Sequence, residues 1–330
     1  MNLKLPVDQI KKIAVFRALQ IGDMLCAIPA IRALHNAYPS AEITLIGLPW
    51  AKILVERFDY IHSLIVFPGY PGFPEQVVNK TAFPDILKNI QEQAFDLVVQ
   101  MQGSGIISNP LTNLFAGKNI AGYFTTGNYC PDKNLFIQYP QGIHEIERHL
   151  KLITSLGIDE VSTDLEFPIL PEDQEDFAKA GLPVEPGKYV IVHPGARGAS
   201  RHWGVENFAA VADFCFENGL QVIITGTKEE AEITSGVINA MKHEAIDATD
   251  RTSLGAVAVL IKNAATLVSN CTGVSHIAAA LKTKSIVISL DEEPYRWAPL
   301  NKTLHTTIDW ATTPDIELVK QEINTLLFAG

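Results

Sequence analysis

Three short stretches of the chain combine residue types that can do acid–base or anion-binding chemistry. The first is Arg17-Ala-Leu-Gln-Ile-Gly-Asp23, where Gly22 and a carboxylate separate an apolar run from a periodic one. That carboxylate has two roles open to it: accepting backbone N–H bonds as a helix cap, or taking a proton from a bound hydroxyl. The second is His193-Pro-Gly-Ala-Arg-Gly-Ala-Ser-Arg-His-Trp-Gly204, which sets Gly195, Arg197 and Arg201 among small residues, with His193 and His202 at hand. Backbone N–H groups at a helix start and guanidinium forks both donate to a spread negative charge, which suits a diphosphate. A solvated loop with Trp203 tucked into the core is the plainer reading of the same composition. The third, Ser269-Asn-Cys-Thr-Gly-Val-Ser-His276, offers the Thr272 hydroxyl and the Gly273 N–H to an anion. His276, one turn further on, faces either a ligand or the core, and for a single histidine the core is the commoner fate.

Other chemistries lack an anchor. Neither GxGxxG nor GxxxxGK[ST] occurs, nor does a GxSxG elbow. There is no Asp-x-Asp triplet and no pair of histidines with a carboxylate at helical spacing, so neither a metal nor an organic cofactor is expected. Cys26, Cys130, Cys215 and Cys271 show no CxxC spacing and read as reduced thiols.

Strands and helices must carry these loops. Residues 12–18 (KIAVFRA) read as a buried strand, and Leu25, Ile28, Ile31 and Leu34 as the face of a helix. Pro29 predicts that the regular helix begins near it or kinks there. Further strands are expected at Glu42–Gly47, Ser63–Phe67 and Leu97–Met101, with helices over Phe83–Gln93 and 144–156, the last closed by Gly157. Prolines 168, 171, 183 and 186 with Gly181 and Gly187 mark a linker, with a helix near Glu172–Ala180 inside it. The alternation then restarts: strand Tyr189–His193, helix Val205–Asn218, strand Gln221–Thr225, helix Lys228–Met241, strand Thr266–Ser269, helix Val274–Leu281, strand Ser285–Leu290. Alternating strands and helices imply mostly parallel sheets, with ligands beyond the carboxyl ends of the strands. The expected organisation is 1–170, a linker at 171–187, and 188–330, with the last helix free to pack back on the first domain. A chain of 330 residues is long enough for two such cores.

A formal charge of −11 disfavours broad contact with nucleic acid or anionic lipid, so any phosphate site must be local. The first twelve residues lack the apolar region of a secretory signal, and apolar runs are too short to span a bilayer, so a cytoplasmic protein is expected.

Taken in order, FRALQIGDMLCAIPAIRALHNAYPSAEITLIG, FDLVVQMQG, HEIERHLKLITSLGI, YVIVHPGARGASRHWGVENFAAVAD, LVSNCTGVSHIAAAL and EEPYRWAP resemble glycosyltransferase family 9, the lipopolysaccharide heptosyltransferases. The resemblance implies the α/β GT-B fold, two Rossmann-like domains with mostly parallel sheets facing a central cleft. It also implies an inverting, metal-independent transfer of a sugar, heptose from ADP-heptose, to a glycan or lipid-linked core acceptor. Asp23 is then the catalytic base. The donor falls to His193, Gly195, Arg197, Arg201, Thr272, Gly273 and His276, and the acceptor to Arg17, Gly22 and Gln102. Transient contact with the inner membrane face would engage Lys4, Lys11 and Lys12. Two departures lie on the donor side: Cys271 stands where the family usually has Asp, and Leu290-Asp-Glu-Glu293 replaces a small-residue run. Three alternatives stay open: another nucleotide-sugar, which the donor-side departures suit; a sugar epimerase, for which His193, His202 or His276 would serve; and a silent nucleotide-sugar binder, to which Cys271 points.

Overall fold

The computed structural model describes residues 3–291 and 293–328 and divides into two compact units, Met1–Asp164 and Leu165–Gly330. In the first unit β1 (Lys12–Phe16), α1 (Ile21–Ala37), β2 (Glu42–Gly47), α2 (Lys52–Arg57), β3 (Ser63–Val66), α3 (Phe83–Glu92) and β4 (Leu97–Gln100) follow in order. They are succeeded by α4 (Ser108–Asn113), β5 (Asn119–Phe124), β6 (Phe136–Gln138) and α5 (Glu145–Ser155). The sheet order is β3-β2-β1-β4-β5-β6 and every pairing is parallel. β1 is therefore central, buried on both faces, which is why Ile13 to Phe16 are continuously apolar rather than alternating. On one face Phe16 meets the rings of Phe67, Phe73 and Phe115 edge-on at 5.1–6.1 Å. α1 packs against α5.

Of the two expectations at Pro29, a regular helix that begins near it does not hold. The helix starts at Ile21 and runs through the proline to Ala37. Proline removes one ladder hydrogen bond, but Met24 to Ile31 are all buried, and helices in proteins owe most of their stability to such packing.

The second unit comprises α6 (Pro171–Ala180), β7 (Tyr189–His193), α7 (Val205–Glu217), β8 (Gln221–Ile224), α8 (Ala231–Ala240) and β9 (Ile246–Asp247). It continues with α9 (Leu254–Asn263), β10 (Thr266–Asn270), α10 (Gly273–Leu281), β11 (Ser285–Ser289), α11 (Pro294–Trp297), β12 (His305–Asp309) and α12 (Ile316–Phe328). Its order, β12-β11-β10-β7-β8-β9, repeats that of the first sheet, and its pairings are again parallel. Each sheet thus reverses direction between its two central strands, β1/β4 and β7/β10, the switch point where ligands bind in open α/β sheets. The segment expected as a linker holds α6, which packs on α9, while Arg251 donates to the Ala180 carbonyl at 2.8 Å. α12 packs against α7 and β11 of its own unit. Among the described residues no helix is long and apolar enough to cross a membrane.

Candidate functional site

In the first unit the chain leaves β1 at Arg17, whose backbone N–H still pairs with the Ile46 carbonyl at 3.1 Å. The Arg17 side chain turns inward and is 1% exposed. Its Nε donates to the Asp23 carbonyl at 3.0 Å and Nη1 to the Met101 carbonyl at 2.6 Å. Nη2 lies 3.2 Å from Glu145 Oε1 and 3.5 Å from Asp23 Oδ1. One guanidinium so ties the β1–α1 loop to the end of β4 and to α5. Gln102 completes the clamp: its Oε1 accepts the Ala18 N–H at 2.8 Å, and its carbonyl accepts from Gln100. Arg17 and Gln102, expected to face an acceptor, are therefore internal struts of the loop. Their burial is the physical reason: Arg17 is 1% and Gln102 4% exposed.

Asp23 takes the opposite position. The helix cap is Gln20, Gly22 is the second helical residue, and Asp23 lies third, in the first turn. A carboxylate there is favoured by the helix dipole, and its side chain remains 28% exposed.

Glu145, Arg148 and His149 on α5 carried no role in the sequence reading. Their spacing, i, i+3 and i+4, puts them on one buried face, where Glu145 pairs with Arg148 and lies 3.4 Å from His149 Nε2. Burial alone would raise the Glu145 pKa, but contact with His149 and the charges of Arg17, His149 and Arg148 outweigh it and hold the carboxyl well below the usual range. Burial first, then the Arg17 charge, pushes His149 down to about 4. The Tyr123 hydroxyl lies 3.0 Å from His149 Nδ1. Arg148 also stacks 4.6 Å above the Tyr139 ring and donates to the Pro140 carbonyl. Those two residues, with Phe124, Thr125, Gln138 and Gln141, line a cavity of about 400 Å³ beyond β5 and β6.

In the second unit His193 ends β7 and sits beside Ser269 of β10. Its Nδ1 lies 3.0 Å from Thr225 Oγ1 and its Nε2 4.0 Å from Glu230. Burial lowers its pKa against the opposing pull of Glu230. Gly195 is buried, and a Cβ there would strike the Glu230 carboxylate, which itself caps Thr227 N at 2.8 Å. Asn270, at the end of β10 and 1% exposed, was also passed over in sequence. Its Nδ2 donates to the Pro194 carbonyl at 2.7 Å, and its Oδ1 accepts the Trp203 N–H at 3.2 Å. Thr272 caps α10 and Gly273 opens it, so the first N–H groups of that helix point out of the same strand end. Arg197 is exposed, and Arg201 lies 3.7 Å from Asp291, whose other oxygen accepts from Ser289. His276 is buried, edge-on to Trp297 at 6.3 Å. Trp203 is 3% exposed and packs on Phe208 and Trp310. Burial, then Asp291, drives the Cys271 thiol up to about 12, so it stays neutral. Glu292, within the acidic run, lies outside the described residues. Among the described residues no group of three or more His, Cys, Asp or Glu side chains is placed to hold a metal ion.

A family model described as glycosyltransferase family 9 (heptosyltransferase) matches residues 85–327. Among curated proteins, lipooligosaccharide heptosyltransferase 2 of Haemophilus ducreyi is 23% identical over 309 residues, covering 88% of this chain and 86% of its own. Among solved structures, the family 9 glycosyl transferase from Veillonella parvula superposes with a TM-score of 0.80 at 18% identity, covering 97% and 98% of the two chains. The E. coli ADP-heptose heptosyltransferase II superposes at 0.76, also at 18% identity, covering 97% and 99%. These likenesses establish the fold as GT-B.

Proposed function

The chain belongs to glycosyltransferase family 9, and from that premise we propose that it transfers heptose from ADP-heptose to a hydroxyl of a lipopolysaccharide-core acceptor, inverting the anomeric configuration without a metal. The observation that carries this reading is Asp23: a part-exposed carboxylate at the carboxyl end of a central strand, gripped by a buried arginine. A hydroxyl within hydrogen-bond reach of Asp23 gives up its proton as its oxygen attacks the anomeric carbon and the bond to the nucleoside diphosphate breaks. The second unit supplies the donor groups. The first N–H groups of α10 at Thr272 and Gly273, with Arg201, take the growing charge on the leaving diphosphate. His193 and Gly195 shape the floor of that loop.

The acceptor is proposed to be held on the first unit, with only transient contact at the inner membrane face. Of the lysines considered for it, Lys4 and Lys12 already donate to the Asn134 and Gln93 carbonyls. One observation favours a second reading: neutral Cys271 beside Asp291 and Arg201 alters the donor side, which suits a different nucleotide-sugar. Calorimetry of ADP, UDP, GDP and CDP against the protein separates the two, since a preference for ADP of about tenfold, roughly 1.4 kcal/mol, supports ADP-heptose and any other order discards it. Proton NMR of the product then reads the anomeric configuration, where retention sinks the single-displacement mechanism.

A further inference from the structure

Behind the β1–α1 loop lies an ion cluster with no contact role in the proposed transfer. Among the described residues, the charged and titratable groups around the Arg17–Asp23 pair include Glu145, Arg148 and His149 from α5 and Tyr123 from β5, with Tyr139 beneath Arg148. With His149 neutral, two guanidinium groups face two carboxylates, so the cluster is balanced only while Asp23 is ionised. Of these four charged side chains, Arg17, Arg148 and Glu145 are at most 4% exposed, and Asp23 alone opens to solvent at 28%.

Arg17 Nη2 is thus a shared cation. A buried guanidinium given wholly to one carboxylate stabilises its ionised form and makes it a poor proton acceptor. Here Glu145 stands nearer the shared nitrogen than Asp23 does, at 3.2 against 3.5 Å, and arrives from a different element. We propose that Glu145 is a positioning residue for transfer: by dividing the Arg17 guanidinium it fixes Asp23 toward the acceptor while leaving that carboxylate basic enough to take the proton. This rests on the reading of Asp23 as the base. Once Asp23 is protonated the cluster carries an excess positive charge, which favours release of that proton and resets the site.

Substituting Glu145→Gln keeps the shape and removes the charge. Carboxyl-carbon NMR of the whole protein, with the Asp23 signal assigned by its loss in Asp23→Asn, measures the midpoint of Asp23 without any substrate. The midpoint is expected to move to lower pH in Glu145→Gln. In assays with ADP-heptose and deacylated lipopolysaccharide core, kcat should fall about threefold to tenfold with its acid limb shifted the same way and KM unchanged. An unmoved midpoint in folded Glu145→Gln overturns the positioning role, whereas an Asp23→Asn enzyme working at the wild-type rate overturns the base itself. Should Glu145→Gln not fold, Glu145→Asp takes its place: a smaller shift in the same direction supports the role, and an unchanged midpoint overturns it.

Discussion

Asn270 Oδ1 accepts the backbone N–H of Trp203 at 3.2 Å while its amide donates to Pro194 at 2.7 Å, so one buried side chain on β10 holds both ends of the loop that leaves β7. The two strand ends at the switch point of the second sheet are thereby locked to each other, and the donor groups on both keep one geometry.

Asn270→Ala should therefore damage binding more than the small change in volume suggests. It strands a buried N–H and a buried carbonyl, a loss of about 1–3 kcal/mol of stability. Donor KM should rise with kcat little altered. Urea unfolding and initial-rate kinetics check both, and an unchanged KM would remove Asn270 from the donor site.

Asp23→Asn should lower kcat by roughly a hundredfold to ten-thousandfold, the usual worth of a positioned base. Nucleotide affinity, read by calorimetry, should stay within about twofold, since Asp23 lies in the first unit and the donor groups in the second. Equal loss of binding and turnover would point to a folding defect instead.

Acid should destabilise the first unit in two windows of the same sign. His149 is held neutral, its pKa pushed by burial and Arg17 from 6.5 to about 4, so the unfolded chain binds the proton more readily. Stability from this group is full above about pH 6.5 and falls as pH drops toward 4, on the order of 3 kcal/mol. Glu145, also depressed, adds a further loss below its ordinary value of 4.5. His193 and His305 titrate in the same direction, so the comparison must be with His149→Gln, whose Tm should fall less between pH 6.5 and 4 than that of the wild type.

Dialysis against EDTA should leave transfer at its full rate, and added magnesium should not raise it, if the α10 start and Arg201 carry the leaving-group charge. A chelated enzyme that recovers only with a divalent cation would overturn that assignment.

Much of the fold was legible because its signals are local. Strands buried on both faces, such as Tyr189–His193, are apolar over most of their length, and Gly181 ends α6 in a left-handed φ of 58°. β5 was missed since Gly122 interrupts its pattern. The structure shows why glycine stands there: a Cβ would come within 2.8 Å of the Gln100 side chain on β4. β12 was likewise unread as an element, the last helix was expected without bounds, and α1 runs through Pro29 because tertiary burial outweighs one lost hydrogen bond.

The sequence by itself determined the three strand-end loops and the residue types on them, because a turn, a carboxylate and a glycine are written side by side. It could not say which way those side chains point. Arg17 and Gln102 both read as ligand-facing until α5 brings Glu145 to the first from 128 residues away and the second closes on Ala18 from 84. Asp23 differs from both only in what the packing leaves uncovered. Burial and long-range pairing are properties of the folded surface, and so the division between struts and exposed base belongs to the tertiary structure.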